Sequence, residues 1–172
     1  MRKSHAFTFA LSVFATLSLL TACTSQPESL GTSSSSSSSQ TNPAKFPAVS
    51  GAAGSEPVIA TPSGTPPIEL MTRDLISGSG PAATPESTVT VNYVGVSWSD
   101  GAIFDSSWKR GTPAEFSLAQ VIPGWAQGLT GAQVGTRREI IIPPTLGYGE
   151  TGQGSIKPNE TLVFVVDILG VK

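Results

Sequence analysis

The alternation of apolar and polar residues predicts strands across the second half of the chain. Between residues 88 and 93, valine and tyrosine occupy the odd positions and threonine and asparagine the even ones. This is the pattern of a strand with one buried face. The stretch 161–169 is apolar on both faces apart from Asp167. The complete set of predicted strands is Leu70–Leu75, Thr88–Val96, Ile103–Asp105, Glu115–Leu118, Arg137–Ile142 and Thr161–Leu169.

A single short helix is predicted among these strands. The segment Pro123–Thr130 begins with proline and is followed by Gly131, residue types that commonly start and end a helix. Many strands with one short helix indicate an α+β fold, in which the helix covers the apolar face of an antiparallel sheet. Arg137 and Arg138 are expected to lie in solvent at the start of their strand.

The first 22 residues have the features of a cleavable signal peptide. Arg2 and Lys3 precede an uncharged apolar run, residues 6–20. As a helix this run would span about 22 Å, which is short of the ~30 Å hydrocarbon core of a bilayer. It ends in Leu20-Thr-Ala-Cys23, which resembles a bacterial lipobox. We therefore expect diacylglycerol on Cys23 and, through it, a membrane anchor. A plain secretory signal is the alternative.

The next segment is expected to be a flexible tether. Residues 24–67 are mostly Ser, Thr, Pro, Gly and Ala, with an unbroken serine run at 33–39 and seven prolines. Such a segment buries too little apolar surface to offset the entropy lost on ordering. The predicted organisation is therefore a signal peptide at 1–22, a lipidated cysteine with a disordered tether at 23–67, and a folded domain at 68–172.

Composition excludes several classes of function. The formal net charge is −2. The sequence has no basic stripe of the kind that is typical of nucleic-acid-binding proteins. The only histidine, His5, lies in the signal peptide, and Cys23 is the only cysteine. This excludes catalytic His–Ser and His–Cys pairs and the common zinc sites. Residues 147–152 match G-x-G-x-x-G, but no helical pattern follows, so no dinucleotide cofactor is expected. The carboxylates Asp100, Asp105, Glu139 and Glu150 show no metal-loop spacing, so no metal is expected either.

The aromatic residues lie on predicted strands or beside Gly- and Pro-containing loops, and spacing alone leaves open whether they fill a core or line a pocket. The motifs around them are more specific. In chain order they are Val91-Asn-Tyr-Val-Gly95 with Gly101-Ala-Ile-Phe-Asp-Ser-Ser107; Phe116-Ser-Leu118 with Val121-Ile-Pro-Gly-Trp125; Pro143-Pro144 with Leu146-Gly-Tyr-Gly149; and Ile156-Lys-Pro158 with Thr161-Leu-Val-Phe164. Together they resemble the four signatures of the FKBP-type peptidyl-prolyl isomerases, over about residues 70–171.

The resemblance implies a fold and a pocket. The fold is a five- or six-stranded antiparallel half-barrel wrapped around one short helix. Trp125 would form the pocket floor, and the candidate catalytic residues would be Tyr93, Asp105 and Tyr148. Asp105 would be paired with Tyr93 and Arg110, and a purely structural ion pair is the alternative for it. The remaining substrate-binding residues would be Phe104, Phe116, Val121, Ile122, Ile156 and Phe164.

The resemblance also implies an activity and its partners. The expected reaction is rotation about X–Pro bonds of unfolded or exported proteins, without cofactor or metal, by a monomer on the outer face of the bacterial cytoplasmic membrane. Macrolide immunosuppressants are further expected ligands, although Ala114 replaces an aromatic residue found in many members and leaves one pocket wall thinner. The alternative function is a chaperone-like module that binds Pro-containing segments without turnover.

Overall fold

The computed structural model describes residues 45–172, so the predicted signal peptide, Cys23 and the serine run lie outside the described residues. Two short helices are α1 (Ser107–Arg110) and α2 (Pro123–Leu129). The strands are β1 (Val49–Ser50), β2 (Val58–Ile59), β3 (Met71–Ile76), β4 (Thr88–Ser97), β5 (Ile103–Ser106), β6 (Ala114–Ser117), β7 (Arg137–Ile142) and β8 (Leu162–Val171).

Strands β3 to β8 form one antiparallel sheet with β4 and β8 at its centre. The strand order is β3-β7-β8-β4-β5, and β6 pairs with the first half of β4, while β5 pairs with its second half. The predicted α+β architecture is confirmed. The predicted strand and helix boundaries differ from the observed ones by no more than two residues at either end.

The main core lies between the sheet and α2. Alternate residues of β8, including Leu162, Phe164 and Val166, face this core together with Ile140 and Ile142 of β7. All five have 4 % or less of their surface exposed, as expected for strands whose alternate side chains point to opposite faces.

Gly124 lets α2 lie directly on β7. A Cβ at this position would overlap the side chain of Ile142. A side chain at position 124 would hold the helix axis farther from the sheet. The close approach that glycine permits therefore determines how near the neighbouring Trp125 lies to the sheet.

The opposite face of the sheet is also covered. Val163, Ile141 and Val96 are in register on β8, β7 and β4 and are at most 2 % exposed. Phe46 and Ile59 pack against this second cluster from the segment before the sheet. The prediction of a disordered tether is therefore wrong for residues 45–67, which contain the β1–β2 pair and pack Phe46 and Ile59 against the domain.

Arg137 ties this N-terminal segment to the sheet. Its Nε and Nη2 donate to the carboxylate of Asp167 at 2.5 and 2.6 Å, and its remaining contacts are to the carbonyl oxygens of Gly51, Ala52 and Ser55. The side chain is 3 % exposed. The expectation of a solvated Arg137 is therefore wrong, because the segment predicted to be disordered covers it.

Within residues 45–172, no helix has the length and apolarity needed to cross a membrane.

Replacing Arg137 tests whether the N-terminal segment is part of the folded domain. Arg137→Met should lower the free energy of unfolding by about 3–5 kcal/mol, because the carboxylate of Asp167 stays buried without its partner. Chemical denaturation measures this loss. Lys109→Met is the control, since Lys109 is exposed and its side chain makes no hydrogen bond with another described residue. A loss below about 1 kcal/mol, typical of exposed ion pairs, would contradict the buried role.

Candidate active site

A cavity of about 630 Å³ opens between α2, the β4–β5 hairpin and the loop that precedes β8. It brings together every pocket residue that the sequence analysis singled out. These are Tyr93, Phe104, Asp105, Phe116, Val121, Ile122, Trp125, Tyr148, Ile156 and Phe164. Among the residues lining the cavity, only Asp105 is charged at neutral pH. The site is thus a hollow walled mainly by aromatic and aliphatic side chains, with polar side chains and one charged residue in its lining.

Trp125 forms the floor of the cavity from the first turn of α2. Its ring meets the rings of Tyr93, Phe116 and Phe164 edge to face, at centroid distances of 5.3, 5.1 and 5.3 Å. Aromatic pairs favour this geometry. The floor is therefore a packed cluster, in which each ring restricts the orientation of the next.

Gly95 creates the space for the inner wall. It lies opposite Phe164 in the register of β4 and β8. A Cβ here would come within 2.6 Å of Phe104 and 2.8 Å of Phe164. The absent side chain lets these two rings meet edge to face at 5.3 Å. Any larger residue at 95 would displace at least one ring of the wall.

Tyr93, Asp105 and Arg110 form a polar triad at the cavity edge. The Tyr93 hydroxyl donates to Asp105, and the guanidinium of Arg110 donates to Asp105 and, at 2.8 Å, to the Tyr93 hydroxyl oxygen. Burial by itself would raise the pKa of Asp105, but the hydrogen bonds from Tyr93 and Arg110 outweigh it and lower that pKa. Asp105 is therefore an anion at neutral pH. The pairing that the resemblance implied for these three residues is present.

Several donors of the cavity-lining residues have no hydrogen-bond partner among the described residues. They include the Tyr148 hydroxyl, the Ile122 backbone N–H and the buried indole N–H of Trp125. Burial, with a smaller effect from the negative charge of Asp105, raises the pKa of Tyr148. Its hydroxyl is therefore protonated at neutral pH and can donate to a bound carbonyl oxygen.

The cavity mouth contains residues that the sequence analysis did not select. They are Gln120, Gln153, Gly154 and Ser155. Gln120 and Ser155 directly neighbour the predicted pocket residues Val121 and Ile156, so extending each motif by one position would have found them. Residues 45–172 contain no group of three or more His, Cys, Asp and Glu side chains placed to hold a metal ion.

The two tyrosines provide a spectroscopic test of this geometry. Burial, together with the hydrogen bond to Asp105, raises the pKa of Tyr93 to about 12, and the pKa of Tyr148 is also raised. Unfolded tyrosine titrates near pH ~10. Because both folded pKa values lie above the unfolded one, the contribution of each tyrosine to stability is complete below pH ~10 and is lost as the pH rises through its folded pKa, which for Tyr93 is about 12.

We therefore expect the folded chain to show much less tyrosinate absorbance at pH ~10 than the chain in denaturant, in which about half of each tyrosine is ionised. The chain contains only these two tyrosines, so the near-ultraviolet absorbance reports on both. Equal absorbance of folded and unfolded chain at that pH would contradict the described burial and pairing.

Comparison with known proteins agrees with this site. The family model for FKBP-type peptidyl-prolyl cis-trans isomerases matches residues 80–169. An FK506-binding protein of Streptomyces anulatus is 50 % identical over 120 residues, covering 67 % of this chain and 97 % of that protein. The outer membrane protein MIP of Legionella longbeachae is 39 % identical and covers 76 % of this chain, which spans 54 % of that protein.

Solved structures give the same result. The crystal structure of FkpA from Escherichia coli superposes with a TM-score of 0.58 and 44 % sequence identity, covering 60 % of this chain and 48 % of that one. The family match includes most of the sheet, α2 and all the cavity-lining aromatic residues. The chain therefore belongs to the FKBP-type peptidyl-prolyl cis-trans isomerases, enzymes that rotate X–Pro peptide bonds.

Proposed function

We propose that the cavity above Trp125 is where the X–Pro bond rotates, and that catalysis there is non-covalent. The observation that carries this proposal is the position of two free donors, Tyr148 and the Ile122 N–H, beside a hollow walled by aromatic rings. No imidazole or thiol is present among residues 45–172. The reaction needs neither, because no bond is made or broken.

The apolar lining fits the physical demands of the reaction. Rotation must disrupt amide resonance, with a barrier of ~18–20 kcal/mol. The twisted amide has lost charge separation between its nitrogen and oxygen, so it is less polar than the planar ground state. A pocket that excludes water therefore binds the twisted form better than the planar form, and this difference lowers the barrier.

The free donors would hold the peptide on one side of the bond while the other side turns. The Ile122 N–H and the Tyr148 hydroxyl would bind carbonyl oxygens that flank the proline. Asp105, held ionised by Arg110 and Tyr93, would orient the wall that contains Phe104, the preceding residue. In this proposal Tyr148 and Ile122 contact the substrate, whereas the charge of Asp105 keeps the wall in place.

Substitutions at Tyr148 and Asp105 test the proposed roles. Tyr148→Phe should lower kcat/KM for a short X–Pro peptide by about twofold to tenfold, the loss expected for one hydrogen bond. Asp105→Leu should lower it at least as much, because Arg110 and the Tyr93 hydroxyl lose their shared partner. Cis/trans exchange followed by NMR gives both values. Glu86→Leu, at an exposed residue outside the cavity, is the charge-matched control and should leave exchange unchanged.

Each outcome of this experiment has a distinct meaning. Unchanged exchange in both folded variants would contradict the assigned roles. Peptide binding by the parent chain without acceleration of exchange would instead favour a chaperone-like binding module.

Macrolide immunosuppressants are proposed as ligands of the same cavity, and one similar protein, from Streptomyces anulatus, is named an FK506-binding protein.

We further propose that the enzyme acts on exported Pro-containing proteins while anchored by lipid to the outer face of the cytoplasmic membrane. The signal-like residues 1–22 and the motif ending in Cys23 support this proposal. A similar protein, that of Legionella longbeachae, is named an outer membrane protein. Two acyl chains on Cys23 would suffice for a stable anchor, whereas one chain binds a membrane only marginally.

Replacing Cys23 tests the anchor. Cys23→Ala should remove the acceptor of the lipid and move the protein from the membrane fraction to the soluble exported fraction, as followed by fractionation. Ser33→Ala, at the start of the serine run that follows, is the control and should remain in the membrane fraction. Membrane retention of Cys23→Ala would exclude lipidation at this residue.

A further inference from the structure

The N-terminal segment, residues 45–67, contacts the hairpin that builds one side of the cavity. The Trp98 indole N–H, at the end of β4, donates to the Gly64 carbonyl at 3.3 Å. Thr61 packs against the turn, where a Cβ at Gly101 would lie 3.0 Å from its hydroxyl oxygen. Further along the hairpin, the Ser106 hydroxyl donates to the carboxylate of Glu56 at 3.2 Å. The segment therefore meets the hairpin directly after β4, at the turn and at the end of β5.

The contact at Ser106 lies next to the polar triad. Ser106 follows Asp105 directly. Its hydroxyl oxygen also accepts from the Lys109 backbone N–H at 3.3 Å and so caps α1, the helix that ends with Arg110. One hydroxyl can donate one hydrogen bond and accept others, so Ser106 can make both contacts at once. It thereby connects Glu56 to Asp105, its neighbour in the chain, and to α1, the helix that carries Arg110.

The segment is itself held in place. The loop just before Glu56 is fixed by Arg137, whose guanidinium binds the carbonyl oxygens of Gly51, Ala52 and Ser55. Pro57, on the other side of Glu56, is buried. The backbone around Glu56 is thus restrained on both sides. The restrained backbone keeps the exposed Glu56 carboxylate within reach of the Ser106 hydroxyl, and such support of a site by its surroundings is what positioning requires.

We propose that the N-terminal segment is a positioning element of the isomerase site, and that Glu56 is a positioning residue that acts through Ser106 on Asp105 and Arg110. This inference rests on the proposed function of the cavity. Glu56 does not line the cavity, so it orders the triad without contacting substrate. The segment also lies outside the part of the chain that the family model matches, residues 80–169.

Kinetics of Glu56 variants in the full chain test this proposal. Glu56→Ala should lower kcat for an X–Pro peptide by about threefold, because the triad is less well ordered when the bond rotates. KM should change little, since the residues that contact substrate are intact. Glu56→Gln keeps an oxygen that can accept from Ser106, and it should restore most of the loss. Glu69→Ala is the matched control, because Glu69 is exposed and its side chain makes no hydrogen bond with another described residue.

A double-mutant cycle identifies the route. In a Ser106→Ala background, Glu56→Ala should cause no further loss of kcat, because the contact through which it acts is already absent. Additive losses would overturn the proposed route through Ser106. Equal kcat for Glu56→Ala and Glu69→Ala, with an active parent chain, would overturn the positioning role of Glu56. An inactive parent chain would contradict the proposed function itself, so the two failures are distinguishable.

Discussion

The fold depends on covering both faces of its two central strands. β8 is apolar on each face, and its residues Val163 and Phe164 point in opposite directions into two separate clusters. Leaving either face in water would forfeit about 25 cal/mol for each Å² of apolar surface. On one face α2 provides the cover and also the cavity floor. On the other, the N-terminal segment provides it.

This two-sided cover explains the polar contacts at the sheet. Arg137 and Asp167 lie opposite each other on β7 and β8, on the face that the N-terminal segment covers. A buried ion pair is stable only when its remaining hydrogen-bonding groups are satisfied. The three carbonyl oxygens of the segment satisfy the guanidinium. The ion pair and the segment therefore depend on each other, and the loss of either exposes the other.

The cavity contains one charged group and several neutral polar groups. Its single anion, Asp105, is paired with Tyr93 and Arg110, and these hydrogen bonds keep the pKa of Asp105 low. The free donors, Tyr148 and the Ile122 N–H, lie where a peptide can reach them. An enzyme that only rotates a bond needs an apolar volume and a few fixed donors, which agrees with a domain that contains neither histidine nor cysteine.

Much of the site could be predicted from local motifs. Each pocket residue belongs to a short stretch such as Val121-Ile-Pro-Gly-Trp125, whose backbone geometry is encoded nearby, and all ten predicted residues line the cavity. The N-terminal segment could not be recognised in the same way. Its Ser-, Pro- and Gly-rich composition has no periodicity, and the two large apolar side chains that pack on the sheet, Phe46 and Ile59, are far apart in sequence. The one available indication was that 161–169 is apolar on both faces, which requires a second cover.

The sequence by itself determined where the strands of the main sheet and α2 follow one another along the chain, because alternation and capping residues are local properties. It also determined the family motifs and, through composition, the absence of imidazole chemistry from the domain. Tertiary structure alone decided which segment covers the outer face and that Arg137 is buried rather than solvated. It also decided that Glu56, 50 residues before Ser106, contacts the hydroxyl beside Asp105. These are long-range pairings between residues with no shared pattern, and only the packed chain brings them together.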